Sequence, residues 1–178
     1  SPFLFIALYW FWRLRGRYGE NPFLTGNLVL LAIGGIGGTL YHAFRSSPVF
    51  FLMDVLPIGI LALSLAVYFW LAVLPKRWLL FPVVLPFFVF HRFVAAFLPP
   101  VFATSGFYVV LAVLVVLPLF LALRADHYRD ARRVFLTVAV FAVALFCRSV
   151  DPYVGAQLPI GTHFLWHAFS AVSVAYLT

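Results

Sequence analysis

Charge is scarce in this sequence. Only 10% of its 178 residues are Asp, Glu, Lys or Arg, whereas a soluble domain carries about 25%. The single cysteine, Cys147, cannot form an internal disulfide, so a disulfide-stabilised scaffold is excluded. By contrast, 65% of the residues are hydrophobic and 20% are aromatic. This composition excludes a disordered chain and most cytosolic enzymes, and it favours an all-α, polytopic, integral membrane protein.

Long apolar runs separated by clusters of charge, proline or glycine predict one partial and six complete membrane-spanning helices. The predicted spans are 2–12, 24–44, 49–74, 77–98, 104–123, 132–147 and 159–177. Because the connections are short, we expect a seven-helix bundle that forms one transmembrane domain over residues 1–178. The first span is too short to cross a membrane, and the chain lacks an initiator Met, so we expect a trimmed chain or a fragment.

The basic residues predict the orientation of the bundle. Nine of the twelve lie in the first, third and fifth connections. Under the positive-inside rule these connections are cytoplasmic, which places the N-terminus outside and the C-terminus in the cytoplasm. The formal charge of +7 is therefore interpreted as a topology signal, and we expect neither a nucleic-acid partner nor an obligate protein partner.

The remaining charged residues and four of the five histidines lie near the outer ends of the predicted spans. They are Arg45, Asp54, Arg92, Arg148 and Asp151, with the histidines His42, His91, His163 and His167. Ionisable groups inside a bilayer cost several kcal/mol unless they are paired or hydrated. Their shared depth predicts a functional site facing the periplasm, a lumen or the cell exterior.

Two histidines with helical spacing form the clearest motif of this set. His163 and His167 are four residues apart, so on a helix their Cβ atoms lie about 6 Å apart on one face and both rings can reach one metal. His42 as a third ligand would leave the fourth tetrahedral position to water, as in a catalytic zinc site. Copper, iron and nickel also accept imidazole. The alternative is that the histidines only form hydrogen bonds within the bundle.

Asp54 follows His42 across a short predicted connection, so the two residues are expected to face each other on antiparallel helices. A carboxylate in this position could take a proton from an activated water and return it to a leaving group. The alternative is that it orients a metal-bound histidine. Gly34 and Gly38, four residues apart before His42, favour close helix packing, with room for a substrate chain as the alternative.

Arg148 and Asp151 have two open interpretations, which are a salt bridge that closes the bundle and a contact with a substrate headgroup. His91 and Arg92 are adjacent within a predicted span, and we expect them to contribute to the same site as substrate-binding or supporting residues.

Three motifs resemble one known family. They are Gly37-Gly38-Thr39-Leu40-Tyr41-His42, Met53-Asp54-Val55-Leu56-Pro57 and Gly161-Thr162-His163-Phe164-Leu165-Trp166-His167. Their order resembles the alkaline ceramidases, a branch of the seven-span superfamily that also includes the progestin and adipoQ receptors. The final motif is the most specific part of the resemblance.

The resemblance implies Zn²⁺ on His42, His163 and His167, with Asp54 handling the activated water. It also implies hydrolysis of the amide bond of a ceramide-like lipid, which yields a fatty acid and a long-chain base, and an N-outside orientation. One departure is visible, because the family usually has serine where this chain has Gly38. Thr39 is the nearest hydroxyl and the replacement candidate for a catalytic role, although it is displaced by about 100° around the helix.

Two other functions remain open at this point. In one, the chain is a zinc-containing receptor or lipid-binding protein without hydrolase activity. In the other, histidine pairs bind haem in an electron carrier, although each haem would need two histidines on facing spans at matched depth.

Overall fold

The computed structural model describes residues 1–44, 47–97, 99–154 and 161–177. Within these ranges the side chains of residues 91, 94, 95, 100–104 and 177 lie outside the description. All regular structure in the described ranges is helical, and no strand occurs there. The prediction of an all-α fold is confirmed for this part of the chain.

Each predicted span corresponds to one α-helix over the described residues. The helices are α1 (Pro2–Arg13), α2 (Pro22–Phe44), α3 (Pro48–Val73), α4 (Leu80–Phe97), α5 (Pro100–Ala125), α6 (Ala131–Val154) and α7 (His163–Leu177), with a short 3-10 turn (Arg77–Leu79) before α4. The largest difference concerns α6, which was predicted to end at Cys147 and continues to Val154. Arg148 and Asp151 do not end the helix, because both find contacts on neighbouring elements.

Within the described residues, four helices are long and apolar enough to cross a membrane. These segments are Pro22–Phe44, Pro48–Val73, Ser105–Ala125 and Ala131–Val154. Large apolar side chains are also exposed along the helices, among them Phe5, Phe81 and Phe97, each more than 70% accessible. Such exposure is costly in water and favourable in lipid, so both features indicate a membrane protein. The count of seven spans and the orientation remain predictions.

Internal contacts divide the chain into two compact units, Ser1–Ser64 and Leu65–Thr178. In the first unit, α1 packs on α2. The backbone of α1 lies so close that a Cβ on Gly35 would be 2.9 Å from the amide nitrogen of Leu4. Ser64, on α3, donates a hydrogen bond to the Asn27 side chain of α2 at 2.5 Å. Small residues thus allow the backbones of this unit to approach closely.

In the second unit, α5 packs on α4 and α6, and α6 packs on α7. The indole of Trp70, at the end of α3, is buried and donates a hydrogen bond to the carbonyl of Leu114 on α5 at 3.0 Å. Nearer the C-terminal end of α5, Leu119 and Leu123 pack with Val134 of α6 in a small apolar cluster. These contacts fix α5 and α6 as the scaffold on which α7 lies.

Candidate metal centre

The last turn of α2 carries His42, which faces a carboxylate on α3. The His42 Nε2 and Asp54 Oδ2 atoms lie 3.8 Å apart, and 33% of the His42 side chain and 17% of the Asp54 side chain are exposed. The expectation that these residues face each other across an antiparallel pair of helices is met by this geometry. At 3.8 Å the atoms are too far apart for a hydrogen bond but close enough to interact electrostatically.

Gly38 provides the space that Asp54 occupies. A Cβ on Gly38 would lie 2.5 Å from Asp54 Oδ1. Its neighbour Gly37 is even more closely covered, because a Cβ there would overlap the backbone of Met53. The glycine run therefore serves close helix packing, and Gly38 in particular lets a carboxylate lie against the helix backbone.

Thr39 is on a different face of α2. Its hydroxyl donates a hydrogen bond to the carbonyl of Gly35 at 2.7 Å, one turn earlier on the same helix. Gly35 is the residue that α1 covers, whereas Gly38 is covered by Asp54. The structure thus places the hydroxyl of Thr39 on the side of α2 that carries Gly35, and its catalytic role stays a prediction.

His163 and His167 lie in the first turns of α7 with their rings facing each other. Their Nε2 atoms are 3.2 Å apart, and the ring planes are nearly perpendicular at 79°. Two nitrogen ligands of one tetrahedral zinc, each about 2.0–2.1 Å from the metal, lie roughly 3.3 Å apart. The pair therefore has the separation of one edge of such a site, and the same distance also fits a hydrogen bond between two neutral imidazoles.

The two histidines of α7 could bind a metal ion together. His163 and His167 each offer one ring nitrogen, and these atoms lie 3.2 Å apart. Neutral imidazoles are donors that suit zinc and other first-row transition metals. The role of His42 as a third ligand stays a prediction.

Asp151 accepts hydrogen bonds from the backbone at the start of α7. Its Oδ1 atom accepts from the amides of Thr162 at 2.6 Å and His163 at 2.8 Å. Its Oδ2 atom lies 4.0 Å from His163 Nδ1. Two amides at the start of α7 are thus satisfied by a carboxylate from α6, whose charge also suits the positive end of the helix dipole.

The residues that precede α7 adapt the chain to this carboxylate. Gly161 has a φ of +65°, and a Cβ there would lie 2.5 Å from Asp151 Oδ1. The Thr162 hydroxyl donates a hydrogen bond to the carbonyl of Cys147 on α6 at 2.7 Å. Sequence reasoning missed these contacts, although a Gly-Thr pair directly before a helix is a recognisable N-terminal signal.

The guanidinium of Arg148 lies beside two aromatic rings. Its guanidinium carbon is 5.2 Å from the Tyr108 ring centroid and 5.5 Å from that of Trp166, distances that allow cation–π attraction. Its Nη1 atom is 3.5 Å from His163 Nδ1, and its buried Nε atom has no hydrogen-bond partner in the described part of the chain. Arg148 and Asp151 thus both contact α7 near His163, each through a different group.

Three other polar residues are candidates from the sequence. Arg92 is exposed on α4. The side chain of His91 falls outside the described residues, and so does Arg45. The described candidates therefore form two groups. The first unit holds the His42–Asp54 pair, and the second unit holds the His163–His167 pair with Asp151 and Arg148 beside it.

Comparison with models of protein families, with curated proteins and with solved structures finds no match to this chain.

Proposed function

We propose that this protein is an intramembrane, zinc-dependent hydrolase that cleaves the amide bond of a ceramide-like lipid. The observation that carries the proposal is the pair of histidines at the start of α7, His163 and His167, whose Nε2 atoms lie 3.2 Å apart. The resemblance to alkaline ceramidases, with the apolar helices around these residues, points to a membrane lipid as the substrate. The proposal includes a site on the periplasmic, luminal or extracellular side.

His42, His163 and His167 would hold the metal. When bound, zinc would polarise the amide carbonyl and make a water molecule more acidic. Three protein ligands leave a position for water or substrate, which is typical of catalytic and not of structural zinc.

Asp54 would move the proton. Its carboxylate, 3.8 Å from His42 Nε2, would accept a proton from the water that adds to the amide carbon. It would then deliver that proton to the amide nitrogen as the carbon–nitrogen bond breaks, so that the fatty acid and the long-chain base leave as products. Because 17% of its side chain is exposed, the carboxylate is accessible to a reacting group.

Arg148 would contact the polar end of the lipid. Its Nε atom is buried without a hydrogen-bond partner among the described residues, and buried donors are normally paired. A lipid oxygen next to His163 would provide an acceptor for the guanidinium. The Tyr108 and Trp166 rings would hold the group in place.

The decisive experiment measures metal content and lipid amide hydrolysis on the same purified samples. We expect about one zinc per wild-type chain and release of fatty acid from a ceramide-like substrate. His163→Ala should lose the zinc and lower hydrolysis at least about a hundredfold, since a metal contributes several kcal/mol of transition-state stabilisation. The matched control is His127→Asn, in the exposed connection before α6. Asparagine tolerates the φ of +51° found there.

The same experiment tests the two other functions. A wild-type protein that binds zinc but hydrolyses no lipid amide would favour a receptor or lipid-binding protein, for which the lack of a hydroxyl at Gly38 beside Asp54 is the supporting observation. Haem absorption in the visible range, or wild-type protein without zinc, would contradict the proposed hydrolase.

A further inference from the structure

Asp151 has two carboxylate oxygens in different surroundings. The Oδ1 atom is held by the amides of Thr162 and His163. Because two hydrogen bonds fix this oxygen, the direction of the carboxylate is also fixed. The Oδ2 atom then faces the imidazole of His163, 4.0 Å from Nδ1.

The Nδ1 atom of His163 has a second polar neighbour. Arg148 Nη1 lies 3.5 Å from it. Arginine is only a donor, so this neighbour suits a ring whose Nδ1 atom is unprotonated. A carboxylate is only an acceptor, so Asp151 suits the opposite tautomer, in which Nδ1 carries the proton. The two neighbours therefore favour different tautomers of the same ring.

Metal binding decides between these tautomers. The Nε2 atoms of His163 and His167 are 3.2 Å apart, so Nε2 is the atom of His163 that would ligate a metal shared by the pair. A neutral imidazole that ligates through Nε2 carries its proton on Nδ1. In that state the ring has a proton to donate to Asp151 and no lone pair to offer Arg148.

We propose that Asp151 is a positioning residue for the metal site, which fixes His163 in the tautomer that ligates through Nε2. The inference rests on the proposed function, because it needs the histidines to bind a metal. If Oδ2 and Nδ1 moved about 1 Å closer together than their present 4.0 Å, they would form a charge-assisted hydrogen bond. When the other ring N–H of a histidine ligand donates a hydrogen bond to a carboxylate, the carboxylate orients the ring and makes the ligating nitrogen more basic.

The same carboxylate also holds the helix that carries both ligands. Its Oδ1 atom caps the first turn of α7, and Gly161 gives it access because a Cβ at that position would be 2.5 Å away. Truncation of the Asp151 side chain would therefore lower both the stability of the fold and the affinity for the metal. A variant that keeps the cap and removes only the charge is needed to separate the two roles.

Asp151→Asn is that variant, and Asp151→Ala is the truncation to which it is compared. Asp126→Asn, in the exposed connection after α5, is the control for the loss of one charge. The asparagine side-chain oxygen can still accept from the amides of Thr162 and His163, while its NH₂ group cannot accept from Nδ1. We expect the unfolding temperature of metal-free Asp151→Asn to stay close to that of the wild type and that of Asp151→Ala to fall. The zinc dissociation constant of Asp151→Asn should rise roughly 10- to 100-fold, with no change in Asp126→Asn.

Equal zinc affinity in the wild type and Asp151→Asn would overturn the inference and leave Asp151 as a helix cap only. This result differs from failure of the proposed function. If the wild type binds zinc but cleaves no lipid amide, the hydrolase proposal fails and the ratio of dissociation constants still decides the role of Asp151. If the wild type binds no zinc, both proposals fall.

Discussion

The histidine of α2 is positioned by residues that lack side chains, whereas the histidines of α7 are positioned by hydrogen bonds between side chains and the backbone. Around His42, Gly37 and Gly38 let α3 approach until its backbone and Asp54 touch α2. Before His163, Asp151 and Thr162 join α6 to the start of α7. The first arrangement should be sensitive to added volume, and the second to lost polar groups.

The largest effect is expected from Gly37→Ala. The added Cβ would overlap the backbone of Met53, which cannot turn away as a side chain can. We expect a destabilisation of at least about 3 kcal/mol, at the upper end of overpacking effects, or loss of folded protein. Thermal unfolding in detergent measures it.

Gly26→Ala is the control for this substitution, since it lies on the same helix and nothing is within 4 Å of a Cβ there. Its stability should be equal to the wild type or slightly higher, because alanine is the better helix former. If Gly37→Ala were as stable as Gly26→Ala, close packing of backbones would not be what positions α2.

A smaller and different effect is expected from Gly38→Ala. Here the atom in the way is Asp54 Oδ1, 2.5 Å from the new Cβ, and a carboxylate can rotate. The fold should be retained while the carboxylate turns away from its place beside His42. We expect hydrolysis to fall about tenfold, or about 1.4 kcal/mol in the barrier, with little change in unfolding temperature.

The test compares the steady-state hydrolysis rates of Gly38→Ala and Gly59→Ala. Gly59 lies on α3 and has open space around it. Unchanged activity in Gly38→Ala would mean that the exact placement of Asp54 does not matter to the reaction. A loss of folded protein as severe as in Gly37→Ala would mean that the two glycines have one role in place of two.

The sequence predicts the helices and the histidine pair of α7 better than it predicts the end of α6. The positions of the helices follow from long apolar runs, and the spacing of His163 and His167 predicts a shared face that the structure confirms. The predicted end of α6 at Cys147 is wrong, because a charged residue that follows an apolar run is typical of the end of a membrane-spanning helix. Asp151 instead continues the helix, since its carboxylate has partners at the start of α7.

The partners of Arg148 could not be predicted from sequence. The sequence leaves open a salt bridge with Asp151 and a headgroup contact, and it does not reveal that the guanidinium also lies near two aromatic rings. Aromatic residues are so common in this chain, at 20%, that no pattern distinguishes Tyr108 from the others. Such contacts depend on the packing of helices that are distant in sequence.

The smallest effect is expected from Thr162→Val, which tests the polar arrangement of α7 without adding volume. The substitution removes the hydroxyl that donates to the Cys147 carbonyl at 2.7 Å and keeps the β-branched shape. The Asp151 contact to the backbone amide of this residue remains, so the cap on α7 is retained. We expect a loss of about 1 kcal/mol, the usual net contribution of one hydrogen bond, measured by thermal unfolding.

Thr162→Ser keeps the hydroxyl and should retain most of the wild-type stability, which separates the hydrogen bond from the methyl group. A Thr162→Val protein as stable as the wild type would show that the backbone bonds to Asp151 are sufficient to fix the start of α7. A loss as large as that of Gly37→Ala would contradict the contrast itself, because one hydroxyl would then matter as much to α7 as close backbone packing matters to α2.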